Sequence, residues 1–265
     1  GMQGTNFDIR NEGVWTNASE SGLYANHVAT NIFHVTTEFD PKMNWSHQVS
    51  YGDNGERFES VSFVDGLGRA RQGVTHNTET EQAVVSNVYY DRLGRPVISD
   101  LPTPVNGEDL KHYPNFNLEN TSGTTFKVDN FDASTICGNI QGAQLSTTSG
   151  ASQYYSPNNP TTTGENGLIP DAEKFPYSRV QYKDDLTGRV SKSSATGYEL
   201  RPGGGHETVF GYASANQAQL NRLFGAEVGQ ASHYQRMVTV DANGQIYVQY
   251  TDMAGRTIAS GMAGE

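Results

Sequence analysis

Five residues in the order Asp-x-x-Gly-Arg recur four times in this chain, at Asp65 to Arg69, Asp91 to Arg95, Asp185 to Arg189 and Asp252 to Arg256. Asp241 to Gln245 repeats the pattern with Gln in the last place. Such recurrence marks a chain assembled from one supersecondary unit. The unit has the chemistry of a reverse turn. Asp suits the first position of a type I turn, where its carboxylate accepts backbone N–H groups, and Gly suits the left-handed position that closes the loop. Phe63, Tyr89 and Tyr250 stand two positions before the Asp, and Tyr182 stands three before Asp185, so the unit reads as aromatic strand, turn, arginine strand. The Arg that opens the returning strand can pair with the Asp or stack on the preceding aromatic. The competing chemistries for repeated aspartates are acid catalysis and calcium ligation. Calcium loops need a denser run of oxygen ligands than Asp-x-x-Gly supplies. Asp65, Gly68, Arg69, Asp91, Gly94, Arg95, Asp185, Gly188, Arg189, Asp241, Gly244, Asp252, Gly255 and Arg256 are therefore read as structural turn residues. The fold class follows: mainly β, an irregular antiparallel hairpin array or meander with long loops and one short helix.

Strand patterns occur at Asn31 to Phe39, Glu59 to Val64, Ala83 to Tyr90, Arg179 to Tyr182, Glu207 to Tyr212, Tyr234 to Val240 and Gln245 to Tyr250, each bounded by turn formers. Between Leu101 and Pro170 the sequence is rich in Pro, Asn, Ser, Thr and Gly and has no sustained period, which predicts ordered loops, pinned to the core by Tyr154 and Tyr155. This divides the chain into a β-rich part over 1–105, a loop-rich insertion over 106–175 and a second β-rich part over 176–265, which can also form one continuous domain. One helix is expected near 214–228. Ser214 and Gln217 have capping-box spacing, and Leu220, Leu223, Phe224 and Val228 share a face that reads as core.

The net charge of −11, with 18 dispersed Lys and Arg, argues against nucleic acid as a partner. The single cysteine, Cys137, excludes an internal disulfide and a cysteine zinc cage, and it reads as a small buried hydrophobe. No apolar run approaches the ~18 residues of a membrane helix. The opening residues do not read as a signal peptide, and Gly1-Met2 reads as an appended start with the native N-terminus elsewhere. His27, His34, His47, His76, His112, His206 and His233 lack the close spacing of zinc ligands. Gly203-Gly204-Gly205 lacks the Lys-Ser/Thr of a phosphate loop, and no Gly-x-Ser-x-Gly elbow is present. No cofactor and no metal is expected, and the chain reads as a non-enzyme, although its 29 acidic residues leave a carboxylate-pair hydrolase open.

Phe63-Val64-Asp65-Gly66-Leu67-Gly68-Arg69 and Tyr90-Asp91-Arg92-Leu93-Gly94-Arg95-Pro96 resemble the repeats of YD-repeat or Rhs proteins, whose relatives include teneurins and the shell proteins of bacterial toxin complexes. Asn44-Trp45, Leu101-Pro102-Thr103-Pro104, Tyr154-Tyr155-Ser156-Pro157-Asn158-Asn159, Gly205-His206-Glu207-Thr208 and Arg222-Leu223-Phe224-Gly225 extend the likeness to long Bacteroidetes-type members, over roughly Trp45 to Gly264, most of the chain. The resemblance implies a structural segment of a large secreted or cell-surface protein, contributing hairpins to a shell. Its partners would then be flanking segments of its own polypeptide and an encapsulated C-terminal payload, with weak self-association of the isolated piece. The motif intervals here are unequal, unlike a regular array, and the autoproteolytic core signature of the family is missing from this sequence. A carbohydrate-binding β-sandwich module, with Trp45, Tyr154 and Tyr155 as stacking residues, is the alternative.

Overall fold

The computed structural model describes residues 43–53, 56–77, 82–107, 109–132, 142–161 and 167–263, all within the unit Met43–Glu265. The strand expected at Asn31 to Phe39, together with His27, His34 and Cys137, lies outside them. Among the described residues twelve strands share one antiparallel sheet. They are β1 (Asn44–Tyr51), β2 (Arg57–Val64), β3 (Ala70–Asn77), β4 (Gln82–Tyr90), β5 (Pro96–Asp100), β6 (Thr103–Asn106), β7 (Tyr177–Tyr182), β8 (Val190–Ser194), β9 (Thr208–Ser214), β10 (Tyr234–Val240), β11 (Ile246–Asp252) and β12 (Thr257–Met262). The order across the sheet follows the chain, with only β6 off the path. The molecule is thus the mainly β meander that the turn motif predicts. Short turns favour this arrangement from β1 to β5, at β7–β8 and from β10 to β12, where strands joined by a few residues pair with each other.

Period-2 burial fixes which face each strand buries. On β2 Val61 and Phe63 are buried, on β4 Ala83, Val85 and Asn87. Val61, Val74 and Val85 stand directly opposite one another across β2, β3 and β4, forming one apolar row. A slip by one residue would turn that row to solvent. β5 and β6 divide β4 between them: Val88 to Tyr90 pair with β5, and Gln82 to Val85 pair with β6. Leu101-Pro102 separates the two, since Pro cannot donate to a ladder.

The segment between β6 and β7 is richer in structure than its composition predicts. It holds α1 (Asp129–Asp132) and α2 (Gly150–Tyr154), in addition to β6 at its start. It also carries the main core onto the sheet: Phe126, Leu145 and Phe175 pack with Val97, Ile98 and Tyr177, and Tyr89 meets Phe126 edge-on at 5.4 Å between ring centroids. Backbone bonds from Leu145 N to Lys174 O and from Gly142 N to Pro202 O bind this layer to itself and to the segment after β8. Tyr155 donates its hydroxyl to Pro102 O.

The helix near 214–228 begins later and buries less than expected. α3 spans Gln217–Phe224, and its cap is Asn216, whose side chain accepts from the backbone of Ala218 and Gln219. Ser214 is instead the last residue of β9, paired with Gln235. A β-strand running to Ser214 leaves Asn216 as the first extended residue able to cap. Of the apolar positions, Leu220 is fully buried against Ala215 and Tyr250, while Leu223 and Phe224 are exposed. A two-turn helix offers one core position, so its other apolar residues turn outward. Gly225 ends it with a positive φ, and a 3-10 turn over Ala226–Val228 follows.

Gly150 sets the entry to α2 at φ +59°, and a Cβ there would collide with the carbonyl oxygen of Phe116 and with Asn117 Oδ1. Gly188 has φ +72° with open space around it. Gly188→Ala should therefore cost ~1 kcal/mol from backbone strain alone. Gly150→Ala should cost roughly twice that or more, since packed atoms must also move. Urea melts of both variants check this, and equal losses would contradict it.

Candidate functional site

The recurring turn is a clasp built on one carboxylate. In the first copy Asp65 N donates to Arg69 O at 3.0 Å and Gly68 N to Asp65 O at 2.9 Å, closing a five-residue loop. Asp65 Oδ1 accepts from Leu67 N and Arg69 N, at 2.9 and 3.1 Å. Oδ2 takes the guanidinium fork, with Arg69 Nε at 2.8 Å and a terminal nitrogen at 2.7 Å. Asp91 with Arg95 and Asp252 with Arg256 repeat every one of these contacts. In each of the three a register shift in the ladder directly precedes the Asp. Gly68, Gly94 and Gly255 have φ between 75° and 78°, the left-handed conformation the loop requires.

Two copies differ, one in its loop and the other only in lacking the arginine. Around Asp185 the loop is two residues longer: Lys183 N donates to Arg189 O, so Lys183 takes the place that Asp holds elsewhere. The carboxylate of Asp185 serves Thr187 instead, through its backbone N–H at 3.0 Å and its hydroxyl at 2.6 Å. Asp241 closes its turn with Gly244 and accepts from Asn243 N and Gln245 N. Because neighbouring strands alternate in direction, this Gln-bearing turn lies at the opposite end of the sheet from the four Arg-bearing turns.

The arginines stack, but on a different ring from the one expected. The aromatics two positions before the Asp, Phe63, Tyr89 and Tyr250, face the core. Arg69 lies over Tyr90 at 5.0 Å, Arg95 over Tyr182 at 4.3 Å and Arg189 over Tyr212 at 5.1 Å. Each partner belongs to the strand that pairs next in the sheet. Register explains the choice. Continuing the ladder three residues beyond Gln72↔Asn87, Ile98↔Arg179 and Lys192↔Val209 sets Arg69, Arg95 and Arg189 opposite Tyr90, Tyr182 and Tyr212. On β4, strand alternation puts Tyr89 on the core face and its neighbour Tyr90 on the other, where Arg69 meets it.

Hydrogen bonds to Asp65, led by the Arg69 side chain, hold its carboxyl well below the usual carboxylate range. The backbone and side chain of Arg256 lower Asp252 likewise, and at Asp91 burial works upward but is outweighed by the bonds from Arg95. Asp100 behaves in the opposite sense. Burial pushes its pKa up to about 6, against the pull of donors from Asn87 and Asn117. It is the hub of a buried polar network that sequence patterning does not flag. Asn87 Nδ2 donates to Asp100 Oδ2 at 2.8 Å, Gln72 Nε2 to Asn87 Oδ1 at 2.9 Å, and Asn117 Oδ1 accepts from Ala151 N at 3.0 Å. Asn117 also donates to Asp100 and to the Tyr89 hydroxyl. The network ties β3, β4 and β5 to the loop layer and to α2.

Of the stacking candidates, Tyr154 and Tyr155 lie edge-to-face at 4.9 Å, while Trp45 sits on β1 opposite Phe63 and does not join them. Tyr154 lines a groove of about 170 Å³ with Gln82, Asn106, Phe116, Gln153 and Asn159, none of them charged. A second groove, of about 600 Å³, crosses β7 to β9; of its cations, Arg95 is held by Asp91 and Lys192 by Glu207. Among the described residues no group of three or more His, Cys, Asp and Glu is placed to hold a metal ion, and no helix is long and apolar enough to cross a membrane.

Residues 36–136 match the model of a domain of unknown function, DUF6443, which spans the clasps at Asp65 and Asp91 and covers less than half of the chain. No curated protein matches the sequence.

Two measurements check these assignments. Asp91→Ala removes four bonds to the turn and its arginine, whereas Asp185→Ala removes only those to Thr187, so the first should melt clearly lower; equal melting temperatures would contradict the clasp. The folded pKa of Asp100 lies above that of an unfolded Asp, so its contribution is fully present below ~4 and is lost as pH rises through about 6. Relative to Asp100→Asn, the wild type should lose on the order of 2 kcal/mol between pH 4 and pH 7. A stability difference that does not change with pH would show that Asp100 titrates normally.

Proposed function

We propose that this chain is a non-catalytic structural segment of a larger secreted or cell-surface protein of the YD-repeat or Rhs type, in which it contributes β-hairpins to a shell. The observation that carries this reading is the clasp itself. The residues most often repeated in the sequence spend their polar groups on one another: Asp on the turn and the guanidinium, Arg on Asp and a neighbouring tyrosine. Residues so engaged specify strand pairing and leave little chemistry for a substrate. The sequence likeness of both the Asp65 and the Asp91 units to YD repeats supports the family, and a meander whose arginine turns all point to one end suits a wall built by adding hairpins. In this reading the partners are flanking segments of the same polypeptide and a payload enclosed by the shell.

A carbohydrate-binding module is the second reading, favoured by the uncharged, amide-lined groove beside Tyr154. A glycan array separates the two. The scaffold reading expects no saturable binding by the wild type. Saturable binding that is lost in Tyr154→Ala, Tyr155→Ala or Trp45→Ala would overturn it in favour of the module.

A further inference from the structure

The Arg-over-Tyr contact recurs at three strand junctions, and a fourth arginine is set up for it with no ring over it among the described residues. Arg256 keeps the carboxylate half of the arrangement, with Nε and a terminal nitrogen on Asp252 at 2.8 and 2.7 Å. Its side chain is nonetheless 80% exposed, against 26% for Arg69 and for Arg95. The difference is the missing neighbour: Arg69 and Arg95 are covered by tyrosines of the next strand, β4 and β7. Arg256 opens β12, which pairs with β11 along one side. β12 reads Thr-Ile-Ala-Ser-Gly-Met and carries neither the charge nor the proline with which edge strands are usually protected.

We infer that the free side of β12 is a docking edge for one further β-hairpin of the same motif, whose leading strand runs antiparallel to β12 and places a tyrosine on the guanidinium face of Arg256. This rests on the scaffold reading above and specifies the site and the chemistry of its partner. The three internal junctions fix the register. Ladder pairing should begin at Ala259, three residues from Arg256, and the tyrosine should stand three residues beyond the residue that pairs with Ala259, immediately before that hairpin's own turn as Tyr90 and Tyr182 do. The clasp holds the fork in place, so the ring meets a preorganised planar cation.

The test uses the hairpin that supplies the ring to Arg95. A fluorescein-labelled peptide copying Tyr177–Ser194 is titrated into the full chain and followed by anisotropy, with hydrogen exchange reporting the site. Expected are saturable binding, slowed exchange over Thr257–Met262, and a fall in affinity of roughly 3- to 30-fold both for Arg256→Ala and for a peptide carrying Tyr182→Leu. Binding unaffected by either change, or protection elsewhere on the sheet, would overturn the proposal. Because a lone hairpin folds poorly, the same segment is also fused after Glu265. The fusion should melt ~2–4 °C above its Tyr182→Leu counterpart within the appended copy; equal melting would overturn the proposal too. Sedimentation of the chain alone reads the rival occupant, a second copy: a dimer abolished by Ile258→Pro would place another β12 on this edge in place of a tyrosine-bearing hairpin. A silent glycan array alongside failed docking would remove the docking edge and leave the scaffold reading standing.

Discussion

A carboxylate that closes a turn with one oxygen and holds a guanidinium with the other is the interaction on which the sheet depends. A five-residue loop strands backbone N–H groups on its inner side, and Oδ1 of Asp65, Asp91 or Asp252 accepts two of them. Oδ2 then fixes the fork of the arginine that starts the next strand. Held this way, the guanidinium presents its flat face across the sheet, where the register brings a tyrosine. The pair is partly exposed and of modest energy on its own. Its larger effect is geometric: at Asp65 and Asp91 one carboxylate fixes both the turn and the arginine that meets the next strand.

The two ends of the sheet are stabilised differently. β2 to β7 lie under a layer of loops that supplies Phe126, Leu145 and Phe175 and is sewn to the strands through Gln72, Asn87, Asp100 and Asn117. A buried carboxylate costs desolvation energy, offset here by amide donors, and it makes the docking of the layer specific. From β9 to β12 the only cover among the described residues is α3 and its 3-10 turns, centred on Leu220 and Tyr250. Strands there rely on ladder bonds and clasps, and local opening should be easiest in that half.

What was legible in the sequence was local. Asp, Gly and their spacing predict the turns because a turn of fixed length restricts residue type regardless of surroundings. The stacking partner depends on register, which is not local: the aromatic two positions before the Asp faces the core, and the ring that meets the arginine comes from the next strand. The Asp185 copy shows the same limit. Its extra acidic neighbour, Asp184, goes with a loop two residues longer, in which Lys183 occupies the Asp position. Ser214 and Asn216 offer equally good local signals for the helix cap, and only the length of β9 decides between them. The Asp100 network was invisible for a related reason. Gln72, Asn87 and Asn117 are ordinary surface residue types, and only the packing of the loop layer makes them a buried set.

The Gln-bearing turn separates the two jobs that the motif combines. Asp241 and Gly244 form the same loop as the other copies, with the same bonds to backbone N–H groups, and no arginine is needed for that. Asp and Gly are therefore the requirement of the turn, and Arg is an addition with a different purpose. Its distribution shows what that purpose is. The four arginines all stand at one end of the sheet, the end where strands β4, β7 and β9 deliver Tyr90, Tyr182 and Tyr212, while Gln245 stands at the other. Even where the loop is lengthened and the Asp clasp is exchanged for Thr187, Arg189 still reaches its ring. The contact across the strand junction is thus retained at Arg189 without the clasp, so register brings the guanidinium to its ring, and at Arg69 and Arg95 the clasp adds a second hold on it.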